Sequence, residues 1–204
     1  MDDKLIYLGH ASLKIITRES KVIYIDPFAG EESYYQTPAD LILVTHDHYD
    51  HNDISKIKNR SDDTKIITHN DALINGEYKT FNLGYANIEA VEAGYNKFHD
   101  KKVCVGYIIT LSSGISIYIA GDTSTTPQMS TLSKYQLDYA FFPTDGYYTM
   151  SAEEATQAAN IVQAKQSIPY HMTAADKGDF SQEVANKFSA ENKLVVQKYE
   201  EIIL

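Results

Sequence analysis

Hydrophobic positions in the first half of the chain come in short blocks. Residues 5–8, 13–17 and 22–25 are rich in Leu, Ile, Val and Tyr, and Gly, Arg-Glu-Ser-Lys and Asp-Pro stretches separate them. Such blocks read as β-strands bounded by turns. Residues 41–44, Leu-Ile-Leu-Val, are apolar throughout, the pattern of a strand covered on both faces. Residues 65–68, 78–82, 88–92, 103–111 and 115–120 continue the series, and Ser112-Ser113-Gly114 marks a hairpin turn between the last two. Ile54 and Ile57, three apart, predict a short helix over 52–58.

The second half holds the clearest helical signal. Ser151 stands three residues before Glu154, the spacing of a capping box. Ala155, Ala158, Ala159 and Val162 then lie on one face of a helix over 151–164. Residues 138–142, 166–170 and 194–198 are predicted as strands and 181–190 as a second helix. No linker-like tract interrupts the sequence, so residues 1–204 are expected to form a single domain. Val22 to Asp26 and Ile115 to Asp122 each carry a hydrophobic strand into an aspartate. This internal echo suggests two β-rich layers with helices outside, although strands resemble one another by chance about as readily.

Composition narrows the class. Apolar residues are 43% and charged residues 23% of the 204, which excludes a disordered or coiled-coil chain. With 18 Lys and Arg against 28 Asp and Glu, the net charge is −10, which disfavours salt-driven attraction to nucleic acid or anionic membrane. One cysteine, Cys104, excludes an internal disulfide, and its apolar neighbours make it a buried small hydrophobe. The acidic N-terminus and short apolar runs give no sign of a leader or a membrane span, so a cytoplasmic protein is expected. Gly-rich phosphate loops, dinucleotide fingerprints and Gly-x-Ser-x-Gly are missing from the sequence.

The chemistry concentrates in Thr45-His46-Asp47-His48-Tyr49-Asp50-His51, directly after the apolar block 41–44. Three imidazoles and two carboxylates in six positions repel one another or demand partners. A metal cation resolves the conflict, because imidazole nitrogen and carboxylate oxygen suit Zn²⁺, Fe or Mn²⁺. A solvated polar loop is the bland alternative and fits the ligand chemistry poorly.

His46-x-His48-x-Asp50-His51 resembles the signature of the metallo-β-lactamase fold superfamily. Ile117 to Thr123, with Gly121-Asp122, and Ile168-Pro169-Tyr170-His171-Met172 are similar to its later motifs, and Gly9-His10-Ala11-Ser12 to an early one. The resemblance is nearest to the branch of ascorbate-phosphate lactonases and N-acylphosphatidylethanolamine phospholipase D. It implies an α/β fold, a four-layer αββα sandwich, and a metal-dependent hydrolase. His46 and His48 would hold one metal, Asp50, His51 and His171 a second, with Asp122 between them. One or two divalent ions are implied, Zn²⁺ foremost, with Mn²⁺ or Fe as alternatives. Asp50 would orient the attacking water and accept its proton.

The chain departs from the pattern at one place. Asn96, in Ala93-Gly94-Tyr95-Asn96, stands where the third histidine of the first site is expected, which would leave that site weak or empty. His99 could swing in if the loop turned back, but beside Asp100-Lys101-Lys102 it also reads as an exposed turn. His69 reads as surface loop. His10 could line the site or brace a loop, and Asp26 reads as a carboxylate orienting an imidazole. A small ester, lactone or phosphodiester is the expected substrate. A metal-dependent nuclease, a non-catalytic metal-binding scaffold and an iron redox protein are the alternatives.

Overall fold

A computed structural model describes residues 2–204. Its strands are β1 (Lys4–Gly9), β2 (Ser12–Ile16), β3 (Val22–Ile25), β4 (Ala39–Leu43), β5 (Arg60–Ile67), β6 (Leu73–Ile74), β7 (Glu77–Tyr78), β8 (Thr80–Asn82), β9 (Ala86–Glu92), β10 (Val105–Leu111), β11 (Ser116–Ile119), β12 (Tyr139–Pro143), β13 (Gln166–Tyr170) and β14 (Glu201–Ile203). The α-helices are α1 (His69–Ala72), α2 (Ala152–Val162) and α3 (Gln182–Lys187). Two six-stranded sheets face each other, one ordered β14-β1-β2-β3-β4-β5 and the other β13-β12-β11-β10-β9-β8.

The sequence echo has a structural counterpart. In the first sheet β1, β2 and β3 run antiparallel, and β4 and β5 continue in parallel. In the second, β9, β10 and β11 run antiparallel, and β12 and β13 continue in parallel. Asp26 and Asp122 therefore leave corresponding strands, β3 and β11, at their carboxyl ends.

Strand alternation distributes side chains between layers. Leu41 and Leu43 of β4 enter the core between the sheets, whereas Ile42 and Val44 face outward onto Tyr24, Tyr35 and Ile57. Likewise Ile117 and Ile119 of β11 point between the sheets, and Tyr118 and Ala120 point toward α2. Full burial of each such aliphatic side chain contributes about 1.5–3 kcal/mol before entropy is counted, so both strands are anchored on two faces. Outside the second sheet lie α2 and a 3-10 segment at Pro127–Tyr135. The layer outside the first sheet is thin, with Tyr35 and Ile54 contributed by 3-10 turns at Glu32–Tyr35 and Ile54–Lys56.

Several local expectations change. Residues 52–58 form only that single turn, because the backbone N–H of Asp53 is drawn to the carbonyl of Pro27. Residues 194–198 are not a strand. Leu194 N–H bonds Ser167 before the chain leaves that sheet, and β14 pairs with the free edge of β1 instead. Ser151 Oγ does accept from Glu154 N–H at 3.1 Å, but the Glu154 carboxylate accepts from Thr125 N–H at 2.9 Å rather than closing a capping box. His69 is buried at the start of α1, not part of a surface loop.

Candidate metal centre

Every side chain expected at the site comes from a loop at one end of the sandwich. His46, His48, Asp50 and His51 follow β4, Asp122 follows β11, and His171 follows β13. These are carboxyl ends of parallel strands, where α/β sheets place their ligands. Three residues there hold left-handed backbone despite having side chains: His10 (φ 50°), Asp26 (φ 44°) and His171 (φ 44°). Strain of this kind costs on the order of 1–3 kcal/mol per residue and persists where the surroundings over-determine it. The His171 N–H to His10 carbonyl bond, 2.9 Å, and Asp26 N–H to Leu43 carbonyl, 2.9 Å, are such constraints.

Two side-chain groups converge. His46, His48 and His99 bring one nitrogen each within 4.8 Å of one another, and a second group does so with one nitrogen each from His10, His51 and His171 and a carboxylate oxygen of Asp50. Asp122 lies between the groups. Its Oδ2 is 3.3 Å from His99 Nε2, 3.4 Å from His51 Nε2, 3.2 Å from His171 Nε2 and 4.0 Å from His46 Nε2. All six residues expected from the sequence are brought together.

His99 joins them, against its reading as an exposed turn. It is 3% exposed, and Asn96 explains why. The Asn96 Oδ1 accepts from the backbone N–H of Phe98 at 2.9 Å and of His99 at 3.0 Å, and it lies 3.2 Å from His99 Nδ1. The amide thus folds residues 96–99 into a turn and aims the imidazole inward. Gly94 (φ 86°) permits the return, since a Cβ there would meet Lys101 N at 2.8 Å. The Asn-x-x-His spacing carried this signal in the sequence.

A chain of hydrogen bonds fixes the imidazoles. Asp26 Oδ2 accepts from His51 Nδ1 at 2.9 Å and from Thr45 Oγ1 at 2.7 Å, while its Oδ1 accepts from Thr45 N–H at 2.8 Å. Thr45 Oγ1, its proton committed to Asp26, accepts from His46 Nδ1 at 3.0 Å. Both rings therefore carry their proton on Nδ1 and turn Nε2 toward Asp122. Asp145, absent from the sequence expectations, lies against His171 as an ion-pair neighbour, its Oδ2 3.3 Å from Nδ1. It is held by Tyr147 N–H, Tyr148 N–H and Thr149 Oγ1, each at 2.7 Å.

The inner atoms have no counterparts. Nε2 of His46, His51 and His171 and Oδ1 of Asp122 are buried without a hydrogen-bond partner. Four orphaned polar atoms in one place are costly, and all four are good donors to a borderline-soft divalent cation. Without one, protons do part of the work. Burial opposes charge on His171, but Asp122 overrides it and raises the ring to about 9. His51 is likewise raised against burial, by Asp122 and then Asp26. His46 goes the other way, held well below its usual value by burial and the neighbouring His51. The residues present fit a cation.

The sequence profile of the beta-lactamase superfamily domain matches residues 4–171. The chain belongs to the beta-lactamase superfamily. Within this superfamily, a UPF0173 metal-dependent hydrolase of Methanosphaera stadtmanae is 34% identical, over 82% of this chain and 83% of its own. A UPF0173 metal-dependent hydrolase of Ligilactobacillus salivarius is 33% identical, over 92% and 96%. In the crystal structure of a candidate metal-dependent hydrolase of Parabacteroides distasonis the fold recurs with TM-score 0.78 at 28% identity, covering 97% of this chain and 94% of that one. Kinship with these UPF0173 relatives, 34% and 33% identical over most of both chains, makes the chain a metal-dependent hydrolase. Among the described residues no helix is long and apolar enough to cross a membrane.

Proposed function

We propose that the protein hydrolyses a small molecule with a water activated at a binuclear centre. His46, His48 and His99 would hold one divalent cation, Asp50, His51 and His171 the other, and Asp122 would contact both. His99 completes the three-nitrogen set that Asn96 had put in question. The supporting observation is the convergence of orphaned Nε2 atoms on the buried Asp122 carboxylate. Three imidazoles in one set and two imidazoles with a carboxylate in the other suit Zn²⁺ first, with Mn²⁺ or Fe as the alternatives.

Bound there, a divalent cation would supply Lewis acidity, lowering the pKa of a water toward neutrality and stabilising the negative charge that develops on the oxygen of the attacked carbonyl or phosphoryl group. The chain supplies placement and proton transfer. Asp50 lies in the wall of a cavity of about 660 Å³ that also exposes His48, His99, Asp122 and His171. Its Oδ2 is 3.2 Å from His10 Nε2. Burial would raise this carboxyl, yet the His10 hydrogen bond and the charge of His51 outweigh it and hold Asp50 down at about 2. Asp50 is therefore an anion near neutral pH and can orient the attacking water, although a carboxylate held so low accepts a proton only weakly. His10, fully buried and packed on His171 with ring centroids 3.8 Å apart, keeps the carboxylate in place.

Elemental analysis of protein purified without a polyhistidine tag tests this reading, together with a screen of ester, lactone and phosphodiester hydrolysis. Two metals per chain and chelator-sensitive turnover are expected. One metal per chain would confine the site to a single triad, and metal without turnover would leave a binding scaffold.

A further inference from the structure

The cavity wall carries information about the substrate beyond the reaction. Outside the candidate ligands it consists of Phe98, Tyr148, Tyr49, two alanines (174 and 175) and the carboxylates Asp47 and Asp176. No lysine or arginine lines it. Lys97 and Lys177 stand at its rim. The Lys97 ammonium sits over the rings of Phe98, 4.6 Å from the centroid, and Tyr147, 5.5 Å. Lys177 lines the adjoining depression with Asp145 and Tyr147.

The aromatic side of the rim is a built cluster. Phe98 packs on Tyr148 with centroids 4.9 Å apart and on Tyr147 at 5.3 Å, and the two tyrosines meet edge-on at 4.7 Å. Asp145 fixes both tyrosines through their backbone N–H groups while it lies against His171. The rings are thus held in register with the candidate centre by one carboxylate. Tyr148 is 40% and Tyr49 73% exposed, apolar surface that a flat ligand group would cover. Ring faces attract cations and repel anions, and so do the two rim carboxylates.

We infer that the pocket takes a substrate whose non-reacting part is flat, apolar and free of negative charge. A negative charge on that non-reacting part would face Asp47 and Asp176, with no lysine or arginine among the described residues of the wall to receive it. The inference rests on the hydrolase reading above and narrows it to substrates whose non-reacting part is neutral or cationic.

Three 4-nitrophenyl esters, matched in length, test it on the metal-loaded protein: the hexanoate, 4-(trimethylammonio)butyrate and the monoester of glutarate. The neutral and cationic esters are expected to exceed the anionic one in kcat/KM by about ten-fold or more. An anionic ester turned over as well as the neutral one would overturn the inference while leaving the hydrolase reading intact. Calorimetric titration with benzyltrimethylammonium supplies a readout independent of turnover. Wild-type protein should bind it, and Tyr148→Ala should weaken binding by roughly ten-fold. If none of the three esters is hydrolysed, the titration still decides the pocket. No binding, or binding indifferent to Tyr148→Ala and Phe98→Ala, would overturn the inference.

Discussion

The carboxylate of Asp26 accepts from Nδ1 of His51 at 2.9 Å, and through Thr45 it also fixes His46. One buried acid, itself too far back to be a ligand in either group, therefore sets the tautomer of an imidazole in each proposed metal set. Outer carboxylates of this kind typically govern affinity or activity by about 10–100-fold. Asp26→Asn should lower metal content and turnover by that order while leaving the far-ultraviolet circular dichroism unchanged. Full metal occupancy in the variant would show that the rings orient without it.

Asp50 and His10 form a separate pair. Asp50→Asn should cut kcat by roughly 10²–10⁴-fold, the usual range for losing a general base, with thermal stability nearly retained. His10→Ala should reduce kcat less, because the carboxylate remains but is no longer held. Steady-state kinetics and melting curves on the two variants decide the order; a His10→Ala enzyme worse than Asp50→Asn would reverse the assigned roles.

Asn96 and His99 predict graded metal loss. His99→Ala removes a nitrogen and is expected to drop the count from two metals to about one per chain, since only two imidazoles would remain for the first ion. Asn96→Ala keeps the imidazole but releases the turn, so it should weaken the same ion without abolishing it. Asp122→Ala, which touches both groups, should disturb both. Elemental analysis across a series of free-metal concentrations separates the three.

Metal removal should also be visible in stability. Stripping the cations leaves buried Nε2 atoms and the Asp122 carboxylate to be satisfied by protons on His51 and His171. Chelation should lower Tm, and adding back Zn²⁺ or Mn²⁺ should restore it, as expected when an ion binds the folded state alone. An unchanged Tm after verified metal loss would count against a buried centre.

Alkaline titration probes the core. Burial pushes the phenols of Tyr24, Tyr78 and Tyr85 up from 10 to about 12. A pKa raised on folding stabilises the native state below the unfolded value of 10, and that contribution is lost as pH rises through about 12. Phenolate absorbance near 295 nm should therefore rise later in native protein than in urea, with unfolding at the end of the climb. Coincident native and unfolded titration curves would show these rings to be solvated.

The sequence alone determined the elements whose signal is local. β3 and β13 match the expected residues 22–25 and 166–170, since dense Ile, Val and Tyr between turns leaves few other conformations. The cluster from His46 to His51 announced a cation through chemistry that needs no fold, whereas Asp122 and His171 were implied only by the resemblance of their motifs to the superfamily's. What tertiary structure decided was non-local. Arg60–Ile67 is a mostly exposed edge strand with no hydrophobic period to read, and β14 exists because β1 has a free edge to pair. His99 looked like part of a charged turn because its burial depends on Asn96 folding the loop and on Asp122 arriving from β11. Asp145 was silent for the same reason, its partner His171 lying on a neighbouring strand. A residue's type is written in the chain, but the company it keeps is fixed only when distant strands are hydrogen-bonded side by side.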